Sequence, residues 1–210
     1  MKHFILMADI IMSSQKDSTK LMQDFKALVI EINKKYKKKI KSPLTITLGD
    51  EFQGVIEDLK SSLEIIIAIE EEVIHKKCEF TLRFVLLEGI IDTKINSKVA
   101  YEMLGPGLTE SRKRISLLKE RNKRFDIVLE NEAISAILNN AFIILQQLTS
   151  KWKINTDYEI VSSFIKSKDY KRVAQIVHKT RSQIWKREKT LNIESFFAIK
   201  NIIYTSVNFT

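Results

Sequence analysis

Three carboxylates carry the most informative chemistry in this sequence. Asp9 sits inside the apolar run Phe4-Ile-Leu-Met-Ala-Asp-Ile-Ile-Met12, and Asp50 and Glu51 sit in Thr45-Ile-Thr-Leu-Gly-Asp-Glu-Phe52. Gly49-Asp50 between two apolar runs has the signature of a tight hairpin, and taken alone it is an ordinary turn. Asp9 changes its weight, because a carboxylate inside a buried strand is costly unless it is paired or bound to a metal. If the strands are neighbours, Asp9, Asp50 and Glu51 converge as oxygen ligands for a hard cation such as Mg2+ or Mn2+. The alternative for Asp9 is an ionised group capped by backbone amides or by a lysine. Arg83, in a strand with apolar neighbours, reads as a paired structural charge.

A second constellation lies near the C-terminus. The ranges 158–165, 170–177 and 181–189 read as three short helices, the last two separated by His178-Lys-Thr180. Ala174 lies four residues before His178, and Ile184 lies ten residues after Ala174. A small residue at the first position lets two helices cross closely, and an apolar one at the second plugs the contact, which is helix-turn-helix spacing. His178 takes the turn position usually held by glycine, so it must adopt a left-handed or similar backbone. Arg181, Ser182 and Gln183 then open a recognition helix facing base edges, and Lys179, Lys186, Arg187 and Lys189 meet phosphates. Without DNA, the same pattern serves as a three-helix bundle for protein contacts.

Charge supports the nucleic-acid reading. The chain carries +9, with 12 Lys or Arg against 5 Asp or Glu in residues 151–210 and 23 against 21 in the other 150 residues. A basic surplus concentrated in a small module is the footprint of a DNA-binding surface. The run Lys34-Lys-Tyr-Lys-Lys-Lys-Ile-Lys41 reads instead as a solvated helix end, where cations meet the helix dipole favourably.

The elements that must position these residues alternate strand and helix through the first 130 residues. Leu21, Phe25, Leu28, Ile32 and Tyr36 mark one helical face, and Leu63, Ile66, Ile67, Val73 and Ile74 mark a second. Phe80, Leu82, Phe84 and Leu86 alternate in a long strand, Gly105-Pro-Gly107 opens a polar helix containing Arg112, and Phe125 to Leu129 reads as an edge strand. The first six elements follow the split βαβ, ferredoxin-like plan, with an antiparallel sheet that makes the first and third strands neighbours. The expected organisation is an α/β (α+β) domain over 1–130, a connecting helix over 131–150 and a small all-α helix-turn-helix domain over 151–210.

Composition excludes several classes. One cysteine, Cys78, allows no internal disulfide, and His3, His75 and His178 have no zinc-ligand spacing. No apolar run is long enough for a bilayer and no cleavable leader is visible, so a cytoplasmic protein is expected.

The Asp9 strand, the Leu48–Gly54 hairpin, the Arg83 strand ending Glu88-Gly89-Ile90, the Gly105-Pro-Gly107 helix with Arg112 and the terminal helix-turn-helix occur in one order that resembles the SatD family of bacterial proteins. The same core is similar to the palm-type fold shared by class III nucleotide cyclases and GGDEF enzymes. That resemblance implies Asp9 and Asp50 as metal ligands with Glu51 as a third. It also implies nucleotide contacts at Ser13, Gly49 and Arg112. Ile46 stands where cyclases place a base-reading lysine, and Leu108 where they hold a transition-state asparagine. Leu48 replaces the first glycine of GGDEF, and Ser14 replaces an arginine expected of SatD relatives. The resulting expectation is a homodimeric DNA-binding regulator that senses a nucleotide or a divalent metal. Its rival is a two-metal nucleotidyl cyclase or nucleotidyltransferase using Asp9 and Asp50.

Overall fold

The computed structural model describes residues 1–11, 18–47 and 49–209. Five strands, β1 (Lys2–Ile11), β2 (Ile40–Ile46), β3 (Glu51–Ile56), β4 (Thr81–Ile90) and β5 (Phe125–Val128), form one sheet in the order β2-β3-β1-β4-β5. Helices α1 (Ser18–Lys35), α2 (Leu59–His75) and α3 (Pro106–Glu120) connect them, and α4 (Glu132–Thr149) follows β5. The chain continues through α5 (Tyr158–Ser167), α6 (Tyr170–Ile176), α7 (Arg181–Thr190) and α8 (Ile193–Thr205). The class is α+β, with eight α-helices among the described residues.

β1 lies between β3 and β4 and is antiparallel to both, and β2 is antiparallel to β3. The β1-α1-β2 and β3-α2-β4 crossovers therefore interleave in the split βαβ manner. β5 corrects the expectation of a wholly antiparallel sheet, because it pairs with β4 in parallel. The cause is the connection: α3 carries the chain back along the sheet, and a helical crossover returns the next strand in the same direction.

Alternation along the strands sorts side chains onto two faces. Leu6, Ala8 and Ile10 of β1, Phe52 and Ile56 of β3, and Phe84 and Leu86 of β4 share one apolar cluster with α1, α2 and α4. Ile5, Met7, Val55, Val85 and Leu87 face the other way and pack with Ile115 and Leu118 of α3. Helix α3 approaches β4 closely because two glycines meet there: a Cβ on Gly89 would stand 2.8 Å from Gly107 Cα. Helix side chains also occupy both sheet edges. Asn33 of α1 accepts from Leu44 N and donates to Leu44 O, each at 2.8 Å. Asn139 of α4 does the same for Ile127 of β5, at 3.0 and 2.7 Å.

The C-terminal helices share the larger cluster with the sheet. Ile160, Val161, Phe164, Phe196, Ile199 and Ile203 are buried in it, and Trp152 Nε1 donates to Leu191 O at 3.0 Å. Lys200 of α8 pairs with Glu71 of α2, and His75 Nδ1 lies 2.7 Å from Ser162 Oγ of α5. Helix α8 is absent from the three-helix expectation, although Ile193, Phe196, Ile199 and Ile203 are spaced for a helical face. Beneath these helices Glu70 and Arg124 form a buried pair in which burial pushes the Glu70 carboxyl up and Arg124 opposes the shift. Cys78 is buried, which pushes its thiol up to about 11 and removes it from reactive thiolate chemistry. No described helix is long and apolar enough to cross a membrane.

Candidate ligand and nucleic-acid sites

Asp9 shares its face of β1 with Ile5 and Met7, and the register sets it opposite Glu51 of β3 and Arg83 of β4. Three charged residues on adjacent strands thus form one rung of this face, with the polar Gln53 next to it, opposite Met7. The Asp9 side chain is 1% exposed. Arg83 Nη1 donates to both its oxygens at 3.1 and 2.9 Å, and Lys119 Nζ of α3 reaches Oδ2 at 2.9 Å. Arg83 Nε also donates to Lys123 O at 3.1 Å, so the guanidinium is fixed on two sides.

Glu51 is buried as well. Its Oε1 accepts from Thr47 Oγ1 at 3.1 Å and lies 4.0 Å from Arg112 Nε. Gln53 is anchored through its donor to Ala100 O and receives Arg112 Nη2 at 3.5 Å. Asp50 enters through its backbone: its carbonyl accepts from Ile10 N at 2.9 Å, lacing the hairpin to the end of β1. Gly49 has φ +82, the left-handed conformation that the turn requires. Ser13, expected at a phosphate, lies outside the described residues, as does Leu48.

This donor set does not fit a resident Mg2+ or Mn2+. Among the described residues no three His, Cys, Asp or Glu side chains converge as a ligand group. Both Asp9 oxygens face cations, and Arg83, Lys119 and Arg112 outnumber the two carboxylates of the rung. A divalent ion placed there would meet three positive side chains at short range. Of the expected metal set, Asp9 and Glu51 are therefore held in ion pairs with Arg83, Lys119 and Arg112, and Asp50 takes part through its backbone carbonyl. Lys119 escaped the sequence reading. Its signal was its place one helical turn after Ile115, on the flank of α3 that meets the sheet.

At the C-terminal end, α6 and α7 are joined through His178, whose φ is +51. Lys179 N closes the turn onto Ala174 O at 3.0 Å. Ala174 and Ile184 are both buried at the crossing of α6 and α7. Thr180 caps α7: Gln183 N donates to Thr180 Oγ1 at 3.2 Å, and Thr180 N donates to Gln183 Oε1 at 2.9 Å. Lys179, Arg181, Ser182, Lys186 and Lys189 are exposed.

Two of the expected DNA contacts need correction. Gln183, expected at base edges, has its side-chain carbonyl oxygen engaged in the capping box, so in this conformation that oxygen does not face a base as an acceptor. Arg187 pairs with the buried Asp157, which also accepts from Lys153 N at 2.8 Å and from Thr156 Oγ1 at 2.9 Å. That guanidinium is tied into the fold instead of standing free for phosphate.

None of the curated proteins matches the chain. Among solved structures it is similar to a bacterial light-regulated adenylyl cyclase at 14% identity, with 60% of this chain and 74% of that one covered and a TM-score of 0.39. The family comparison is far broader in reach: residues 3–206 match the SatD family, and the chain belongs to it.

Proposed function

We propose that the protein is a DNA-binding regulator in which α6, the His178 turn and α7 act as a helix-turn-helix. The observation that carries this reading is the exposure of α7. Of its ten residues Ile184 is the one that is buried, and the helix turns Arg181, Ser182, Trp185, Lys186 and Lys189 outward. A helix held by one apolar plug and rich in cations is suited to lie in a groove. Helices of this kind read paired half-sites, so the working unit is a homodimer.

The test is fluorescence anisotropy on labelled duplex DNA after selection from a random library. Arg181→Ala is expected to weaken discrimination at one position by about 1–3 kcal/mol, and Lys186→Ala to weaken all sequences alike. Unchanged retention of the Arg181→Ala/Lys186→Ala double variant on DNA would remove the reading.

The end of the sheet supports a second role, binding of a nucleotide through its phosphates. Lys119 and Arg112 are cations about half exposed, and they stand over the buried Asp9 and Glu51. They can turn toward an incoming anion while Arg83 holds Asp9. The rival, a two-metal cyclase or transferase, needs Asp9 free for cations. Release of pyrophosphate from a nucleoside triphosphate with Mg2+ or Mn2+, abolished by Asp50→Ala, would favour that rival.

A further inference from the structure

A cleft of about 530 Å3 opens beside the start of α7, against the turn that leads from α4 into α5. Lys153 enters it from that turn, Lys179 from the α6–α7 connection and Lys186 from α7. All three lysines are exposed. The acid in its lining, Asp157, is neutralised by Arg187, so the lysines face the cleft without an opposing charge. Gln183 also lines it, and with its carbonyl oxygen held by Thr180 its amide N–H groups remain as donors at the wall. Thus three cations from separate segments converge on one concave surface, and that surface is continuous with the outward face of α7.

We infer that this cleft seats the phosphodiester backbone of duplex DNA, with Lys153, Lys179 and Lys186 as phosphate contacts. The inference rests on the DNA-binding reading above and extends it to Lys153, a residue that lies outside the helix-turn-helix. A duplex that takes α7 into its groove must run a backbone strand along the flank of that helix, and the cleft occupies that flank. Arg187 serves by holding Asp157, which keeps a carboxylate from repelling the strand. Phosphate neutralisation releases counterions, so each contact has a defined signature in salt.

The experiment uses the full chain and a mixed-sequence 30-base-pair duplex, with affinity measured by anisotropy between 50 and 200 mM salt. Each phosphate contact contributes about 0.9 to the slope of log K against log salt. Lys153→Ala is expected to reduce the slope by about that amount, and the Lys153→Ala/Lys179→Ala/Lys186→Ala variant by about three times as much. Lys151→Ala is the control, because Lys151 is exposed nearby and does not line the cleft. A Lys153→Ala slope equal to that of the wild type, or an equal loss in Lys151→Ala, overturns the inference while leaving the DNA reading intact. If the wild-type chain binds no duplex at 50 mM salt, the DNA reading itself fails.

Discussion

Replacing Asp9 by Asn separates two accounts of the sheet end by the sign of its effect. In the observed arrangement Asp9 is enclosed and Arg83 is 8% exposed on its side chain, so the substitution strands a guanidinium that cannot reach bulk water. Removing one partner of such a buried pair destabilises by about 3–5 kcal/mol. For a chain of this size each kcal/mol moves the midpoint by about 2–4 °C, which predicts a fall of about 10 °C in thermal unfolding. Lys119 differs, since its side chain is 48% exposed and its ammonium can turn to solvent. Lys119→Met is therefore expected to lower stability by about 1 kcal/mol or less. The expected ranking places Asp9→Asn and Arg83→Met well below Lys119→Met.

A metal centre predicts the reverse in the absence of metal. Carboxylates gathered to hold cations repel one another when the ions are removed, and neutralising one of them relieves the fold. Urea unfolding in EDTA therefore decides between the two. If Asp9→Asn is as stable as the wild type, or more stable, the ion-pair account is wrong. A second arm uses the pair Asp9→Leu/Arg83→Met, which removes both charges and fills the space. It is expected to recover most of the loss, because an apolar pair of similar volume commonly matches a buried ion pair.

Two further perturbations test how the fold is held. His178→Gly should raise stability by about 1 kcal/mol, since a left-handed backbone strains any residue with a Cβ; an unchanged or lower midpoint in chemical denaturation would count against the turn geometry. Asn33→Ala and Asn139→Ala each leave an edge N–H and C=O without their partner, at about 1–3 kcal/mol apiece, and expose a strand edge to pairing between molecules. The double variant should aggregate with rising concentration by light scattering, and monodisperse protein of normal stability would show that the edges need no such closure.

Much of the architecture was legible because it is written in short-range periodicity. Phe80, Leu82, Phe84 and Leu86 alternate as a strand must, and Leu21, Phe25, Leu28 and Ile32 step as a helix must, so element order followed directly. Even the left-handed turn at His178 could be inferred from the distance between Ala174 and Ile184. The direction of β5 was not, because parallel pairing depends on where a crossover helix delivers the chain and not on residues within the strand. That Arg83 is a paired charge and that a lysine could cap Asp9 were legible, but which groups meet was hidden for a related reason. Arg83 and Lys119 lie 74 and 110 positions away, and only strand register and the packing of α3 bring them to the same carboxylate. The engagement of Gln183 was readable in principle, since Thr180 and Gln183 have capping-box spacing, but the same spacing also suits a base-reading side chain.

The two candidate sites differ in how tightly function is bound to stability. At the sheet end the charged residues are built into the fold: Asp9, Glu51 and Arg83 are buried, so almost any substitution there moves stability along with ligand affinity. Helix α7 is different because the core does not depend on its surface. Ile193, Phe196, Ile199 and Ile203 of α8 fill the space beneath, and α7 contributes Ile184 alone among its own ten residues. Its exposed cations Arg181, Lys186 and Lys189, unlike Arg187 with its buried partner Asp157, can therefore be removed one at a time with little effect on folding, as is usual for exposed positions. Loss of binding in Arg181→Ala or Lys186→Ala is then a statement about recognition, whereas loss of ligand binding in Asp9→Asn must be judged against unfolding measured under the same conditions.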